Sequence, residues 1–163
     1  MLENIKSSEG NFKLLCDNSY FLMEIELANL LKAHNLKVTP QRISILKILY
    51  KGGHFSGEQI YNELKKTEPS ISLSTVYNTL NSLTKAGILN SFEINGVTWY
   101  EIRKDLHIHV YCEDTNQIID VNSINLQNLY NELEKLGILV KSLNILAIAD
   151  CSKILKGPQT NTS

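Results

Sequence analysis

The stretch "SFEINGVTWYEI", residues 91–102, sets two apolar runs around Asn95-Gly96. That dipeptide suits the two positive-φ positions of a tight hairpin turn, so it predicts a pair of antiparallel strands. Helical patterns precede it. In "VTPQRISILKILYKGG", Thr39 is placed to cap and Pro40 fits the first helical position; Ile43, Leu46 and Leu49 form a stripe, and Gly52-Gly53 ends it. "SGEQIYNELKK" has capping-box spacing between Ser56 and Gln59, with Ile60 and Leu64 on one face. After Pro69, "SISLSTVYNTLNSLTKAG" offers Ser72 as cap, Val76, Leu80 and Leu83 as the buried face, and Gly87 as terminator. Three helices followed at once by a hairpin spell an α+β fold of the winged helix-turn-helix type.

Charge separates this part of the chain from the rest. Residues 24–90 carry eight Lys/Arg and five Asp/Glu, a net of +3, while residues 91–163 carry six and nine, a net of −3. Two modules with different partners are expected. No run approaches the roughly 20 apolar residues that span a bilayer. The opening "MLENIKSSEG" lacks the basic and apolar segments of a secretory signal, so a cytoplasmic, reducing location is expected. Cys16, Cys112 and Cys151 are odd in number and unrelated in spacing, which predicts no disulfide framework.

The third helix has an unusual polar face. Ser74, Tyr77, Asn78 and Asn81 are all able to hydrogen bond and none is charged. In a winged helix this element enters the major groove, where amides and hydroxyls read base edges and a Tyr ring meets a thymine methyl. A merely solvated face is the competing reading.

"HIHVYCEDTNQIID", residues 107–120, carries the other chemistry. Along a strand, His107 and His109 face one way and Ile108, Val110 and Cys112 the other, so two imidazoles can share one ion. After a turn at 114–117, "QIIDV" sets Asp120 among apolar neighbours, where a metal would offset the cost of a buried carboxylate. Two half-exposed strand histidines are the alternative. By spacing alone, His54 is an exposed loop residue and Glu101 an ordinary surface acid. His34, beside Asn35 at a helix end, favours the helix dipole and is assigned no function.

"LKVTPQR" at 36–42, "SLSTVYNTLNSLTKAGIL" at 72–89 and "HIHVYCEDTNQIIDV" at 107–121 together resemble the ferric uptake regulator (Fur) family over roughly residues 24–155. The resemblance implies an N-terminal winged-helix DNA-binding domain joined to a small C-terminal α/β dimerisation domain. It implies boundaries of 1–22 for an N-terminal extension, 23–102 for the DNA-binding domain, 103–106 for a hinge and 107–156 for the dimerisation domain. Residues 157–163 are expected to be a disordered tail. "KLLCDNSYFL" either extends the first helix or precedes a start at Met23, which would give the length usual in relatives.

The regulatory metal site carried over from the family falls on His54, Glu101, His107, His109 and Asp120. One divalent metal per subunit is implied, Fe(II) or Mn(II), with Zn(II) able to bind in vitro. Asp120 resembles the peroxide-sensing branch, in which Fe(II) leads to oxidation of a histidine ligand; His54 and His107 are the candidates. Glu101 resembles iron-sensing members instead. The function implied is a metal-dependent transcriptional repressor that senses peroxide, with a sensor of iron, manganese, zinc or nickel availability as the alternative. Resemblance also places Lys37 at the minor groove and Tyr77 and Asn78 in the major groove of a pseudo-palindromic operator bound by a homodimer. Arg42 is assigned to phosphate contact or helix packing, and no membrane partner is expected.

One departure from the family is plain. Most relatives hold a structural zinc with two C-x-x-C pairs, whereas here the first reads "CEDT", Cys112 to Thr115, and no second cysteine follows Cys151 at that spacing. With two thiols at most where four are needed, no structural zinc is predicted. Cys112 and Cys151 are expected in the core, packed by the strand "ILVKSLNILAIA" and the helix "LQNLYNELEKLG". Two other classes compete with this reading. A zinc hydrolase would need an open coordination position and a cleft, for which nothing in the sequence speaks, so no enzyme is expected. A winged-helix protein controlled by a protein partner rather than a metal would keep its DNA affinity without His107.

Overall fold

A computed structural model of the 163-residue chain describes residues 8–102, 105–122, 125–141 and 143–154, with side chains from residue 20 onward. The predicted tail at 157–163 and part of the predicted hinge lie outside the described residues. Contacts divide the chain between residues 103 and 104 into two compact units.

The first unit opens with α1 (Ser8–Ala33), which runs through "KLLCDNSYFL" without a break. Its end is tied by His34, whose Nδ1–H donates to the Ala86 carbonyl at 2.7 Å across 52 residues. A carbonyl can only accept, so this contact fixes the tautomer. His34 therefore joins the end of α1 to the C-cap of the helix that ends at Lys85, a role its place beside the dipole did not reveal.

Helix α2 (Pro40–Tyr50) begins where Thr39 accepts the Arg42 amide and Pro40 occupies the first turn. Gly52 and Gly53 then reverse the chain with φ of 83° and 90°. Two residues, Phe55–Ser56, form β1 before α3 (Gly57–Lys65), whose capping box is complete: Ser56 Oγ accepts from Gln59 N, and Gln59 Oε1 accepts from Ser56 N. Helix α4 (Leu73–Lys85) is capped by Ser72. The hairpin β2 (Asn90–Ile94) and β3 (Val97–Glu101) turns at Asn95 and Gly96, both with positive φ. Leu27 and Leu31 of α1, Leu46 and Leu49 of α2, Ile60 of α3 and Val76, Leu80 and Leu83 of α4 close one core. The stripes of α2, α3 and α4 are those read from the sequence, save that Ile43 is only partly buried; Leu27 and Leu31 of α1 were not among them.

The sheet of this unit has the order β1-β3-β2, with Phe55 opposite Tyr100 and Phe92 opposite Trp99. A two-residue strand has too few positions to show a period, which is why β1 escaped the sequence reading.

In the second unit, β4 (Ile108–Cys112) is the central strand of the order β5-β4-β6. It pairs antiparallel with β5 (Gln117–Val121) and parallel with β6 (Ile145–Ala149). Parallel pairing requires a crossover, and α5 (Gln127–Lys135) provides it. Two expectations are corrected here. The strand predicted from "ILVKSLNILAIA" is confined to its last five residues, because Gly137 (φ 76°) ends α5 in a left-handed turn and the Ile138 amide bonds back to Leu133 O. Nor does α5 bury any of its residues in the single chain: its Leu129 stays exposed, as do Leu139 after it and Ile148 of β6.

The cysteines bring a third correction. Cys112 and Cys151 are joined by a disulfide, with Cα atoms 5.4 Å apart. Thirty-nine residues separate them in sequence, but β4–β6 pairing sets Cys112 opposite Ala149, two residues before Cys151. Cys112 is fully buried as expected, while Cys151 is only half-buried. Among the described residues, no helix is long and apolar enough to cross a membrane.

Candidate metal centre and nucleic-acid interface

The five ligand candidates fall in two groups, two in the first unit and three in the second. In the first unit, the β1–β3 register that pairs Phe55 with Tyr100 carries His54 one step on, opposite Glu101. His54 Nε2 lies 3.4 Å from Glu101 Oε2, and both side chains are buried. His54 is thus no exposed loop residue, because the glycine turn and the short β1 fold it against the sheet, where its ring meets Phe92 edge-on. Glu101 is only 2% exposed, which corrects its reading as a surface acid. The other oxygen, Oε1, accepts from Asn90 Nδ2 at 3.4 Å across the β2–β3 pair, so the carboxylate is oriented from behind.

In the second unit, the β4–β5 register sets His109 directly opposite Asp120. His109 Nδ1 lies 3.3 Å from Asp120 Oδ1, and His107 Nε2 lies 3.8 Å from the same oxygen. The two rings meet edge to face with centroids 4.4 Å apart. Alternation along β4 brings them to one side, and both are buried. His107 Nδ1 donates to the Asp105 carbonyl at 2.7 Å, which holds the proton on Nδ1. The ring lone pair is then carried by Nε2, on the side of Asp120. Donor atoms of His107, His109 and Asp120 all lie within 4.8 Å of one another, so two imidazole nitrogens and a carboxylate are gathered where a first-row divalent metal is well served.

The polar face of α4 is laid out at helical spacing. Ser74, Tyr77, Asn78 and Asn81 are all exposed on one side while Val76, Leu80 and Leu83 are buried on the other. Tyr77 lies across the start of α3: a Cβ built on Gly57 would fall 2.5 Å from Tyr77 Cε1. Lys37 is exposed in the turn before α2, and its carbonyl accepts from Arg42 Nη1 at 2.6 Å. Arg42 Nη2 donates to Ser82 Oγ of α4 at 3.2 Å, so this guanidinium ties the Lys37 segment to α4. Of the two roles expected for Arg42, packing is the one these bonds show. Burial pushes the Tyr100 phenol above the ordinary tyrosine range, and the nearby Tyr77 phenol adds to the shift.

A winged-helix unit with a polar helix face, followed by a small α/β unit with a buried imidazole–carboxylate cluster, is the architecture of a DNA-binding regulator of the metal-responsive class. The sequence pattern of the Ferric uptake regulator family matches residues 33–147, and the chain belongs to that family. It is 31% identical over 160 residues to the Ferric uptake regulation protein of Haemophilus influenzae, covering 95% of this chain and 99% of the relative. Among solved structures, the Campylobacter jejuni peroxide stress regulator is 39% identical with a TM-score of 0.59, over 78% of this chain and 98% of that one. The ferric uptake regulator of Pseudomonas aeruginosa, solved with manganese, is 25% identical with a TM-score of 0.66, over 78% and 98% of the two chains.

Proposed function

We propose that this regulator is a cytoplasmic, homodimeric repressor that binds a pseudo-palindromic operator when each subunit holds one divalent metal, Fe(II) or Mn(II), on His54, Glu101, His107, His109 and Asp120. The observation that carries the reading is the gathering of His107, His109 and Asp120, with the Asp105 carbonyl fixing the His107 tautomer that offers Nε2 to a cation. His54 and Glu101 add a second pair of suitable donors. Two of these residues belong to the unit that carries α4 and three to the unit that carries β4, so one ion on all five couples DNA reading to dimerisation. Lys37, Ser74, Tyr77, Asn78 and Asn81 are the DNA contacts in this proposal, with half-sites offset by about 10 base pairs or a multiple. The exposed apolar residues of α5 and β6, Leu129 and Ile148 among them, are the surface a second copy would cover.

The signal we propose is peroxide. Fe(II), held by these five residues, would supply the redox chemistry by which peroxide oxidises a liganding ring; His54 and His107 are the candidate rings, each gaining one oxygen while the other oxygen of the peroxide leaves as water. An oxidised imidazole loses its donor lone pair, and the affinity for DNA goes with it. Asp120 and the 39% identity to a peroxide stress regulator support this signal. Glu101 and the ferric uptake relatives support a second reading, that of a metal-availability sensor.

One experiment separates them. An operator is selected from random DNA with the Mn(II)-loaded protein, and binding is then measured anaerobically for the Fe(II) and Mn(II) forms before and after one equivalent of peroxide. Release of the iron form alone, with one added oxygen on His54 or His107 by mass spectrometry, is the expected result. Retention of DNA by both forms rejects peroxide as the signal and leaves metal availability. Equal binding after chelation rejects metal control altogether.

A further inference from the structure

We infer that Cys112 and Cys151 form a reversible thiol–disulfide site that exchanges with low-molecular-weight disulfides, with Cys151 as the entry sulfur and Cys112 as the buried resolving partner. The site lies within the second unit and does not depend on which metal or signal controls DNA binding.

The backbone brings the two sulfurs together by means other than the bond between them. Parallel pairing sets Cys112 opposite Ala149, and Glu113 N donates to Ala149 O at 3.0 Å just beyond that pair. On the other side, Cys151 N donates to Asp114 Oδ1 at 2.8 Å. Neither hydrogen bond uses a sulfur atom, so reduction removes no donor or acceptor from them. The reduced thiols therefore stay near the 5.4 Å Cα separation at which they can rejoin, and closing the bond needs little rearrangement.

Exposure assigns the order of events. Cys112 is fully buried at the last position of β4, whereas Cys151 is half-buried in the segment after β6. A soluble disulfide can meet only the second. The Cys151 thiolate attacks one sulfur of the incoming disulfide, breaking its S–S bond and releasing the first thiol. The Cys112 thiolate then attacks Cys151 Sγ, breaking the mixed disulfide and releasing the second. Two protein thiols are oxidised by two electrons, one small disulfide is reduced to two thiols, and the two protons pass to those products. Reversal by the same thiols reopens the pair, so its state follows the redox poise of the surrounding thiol pool. Asp114 also lies within 4.8 Å of both sulfurs, and three such donors could instead take a metal, which the test must separate.

The full-length protein is equilibrated with mixtures of reduced and oxidised glutathione, quenched in acid, alkylated and weighed intact. The expected result is a single transition in which two alkylation sites are lost together while Cys16 keeps its own. Cys112→Ala should accumulate one glutathione on Cys151, and Cys151→Ser should accumulate none on Cys112. Should Cys112→Ala fail to fold, the wild-type transition and Cys151→Ser still carry the test. Three alkylated thiols at every ratio would overturn the inference, as would an adduct on Cys112 in Cys151→Ser. So would protection of both reduced thiols by one equivalent of zinc, since the cluster would then be a metal site.

Discussion

His107 donates its Nδ1 hydrogen to the carbonyl oxygen of Asp105 at 2.7 Å, two residues back along the chain. The contact is to backbone, so it belongs to the path of the chain into β4 and not to the Asp105 side chain. Replacing His107 with Ala removes the donor itself, and Mn(II)-dependent operator affinity should fall by at least about 10-fold, the lower range seen when even a supporting residue of a metal site is lost. Asp105→Ala keeps the carbonyl and should leave Mn(II) affinity unchanged. Titration calorimetry with Mn(II) and anisotropy with labelled operator measure both. Undiminished operator binding by His107→Ala would assign control to something other than metal.

Gly57 and Tyr77 give a prediction about reading. The φ of Gly57 is not in the left-handed region, so its backbone does not require glycine; the room its missing side chain leaves is filled by the Tyr77 ring. Gly57→Ala should swing Tyr77 aside and lower the ratio of operator to nonspecific affinity by about 10-fold, roughly the cost of one mismatched contact. Tyr77→Ala should do the same, and neither should alter the salt-sensitive nonspecific binding that phosphate contacts supply. Equal losses on both DNA types would place Tyr77 outside base reading.

Stability of the first unit should respond in proportion to what each side chain closes. Ser56→Ala opens the capping box of α3 and should cost about 1 kcal/mol. Leu80→Ala empties a fully buried site in the core and should cost about 2–5 kcal/mol. Urea unfolding followed by circular dichroism tests the ranking, and a Ser56 variant as damaging as the Leu80 variant would contradict it.

At alkaline pH, Tyr100 should report its burial. The folded chain holds this phenol's proton above the ordinary value of about 10, first because of desolvation and then because of Tyr77. Its contribution to stability is therefore full below the unfolded value and is lost as pH rises through the folded one. Phenolate absorbance should show a late-titrating tyrosine that Tyr100→Phe removes. Tyr50 is also raised, by its hydrogen bond to Glu26, and Glu26→Gln separates the two.

Local rules are what made the first unit legible. Thr39, Ser56 and Ser72 each cap where their side chains and the following stripe predict, and Asn95-Gly96 turns the hairpin, because these signals act within a few residues. His54 and Glu101 were invisible by the same logic. Their burial depends on a two-residue strand and a register between segments more than 40 positions apart, and only the family likeness pointed at them. The Cys112–Cys151 bond failed for a similar reason: it follows from parallel pairing across a crossover helix, which spacing cannot encode. α5 was read as a helix that packs the core, but no sequence rule says that its apolar residues are left uncovered by its own chain.

The bond between Cys112 and Cys151 closes a covalent ring of about 39 residues that contains β5, α5 and β6. Tying such a ring removes about 4 kcal/mol of chain entropy from the unfolded state in the loop-closure account. It also changes what a protease can accomplish. A single cut between residues 113 and 150 leaves the oxidised chain as one molecule, with both new ends still tethered to β4, whereas the same cut in the reduced chain frees its whole C-terminal remainder.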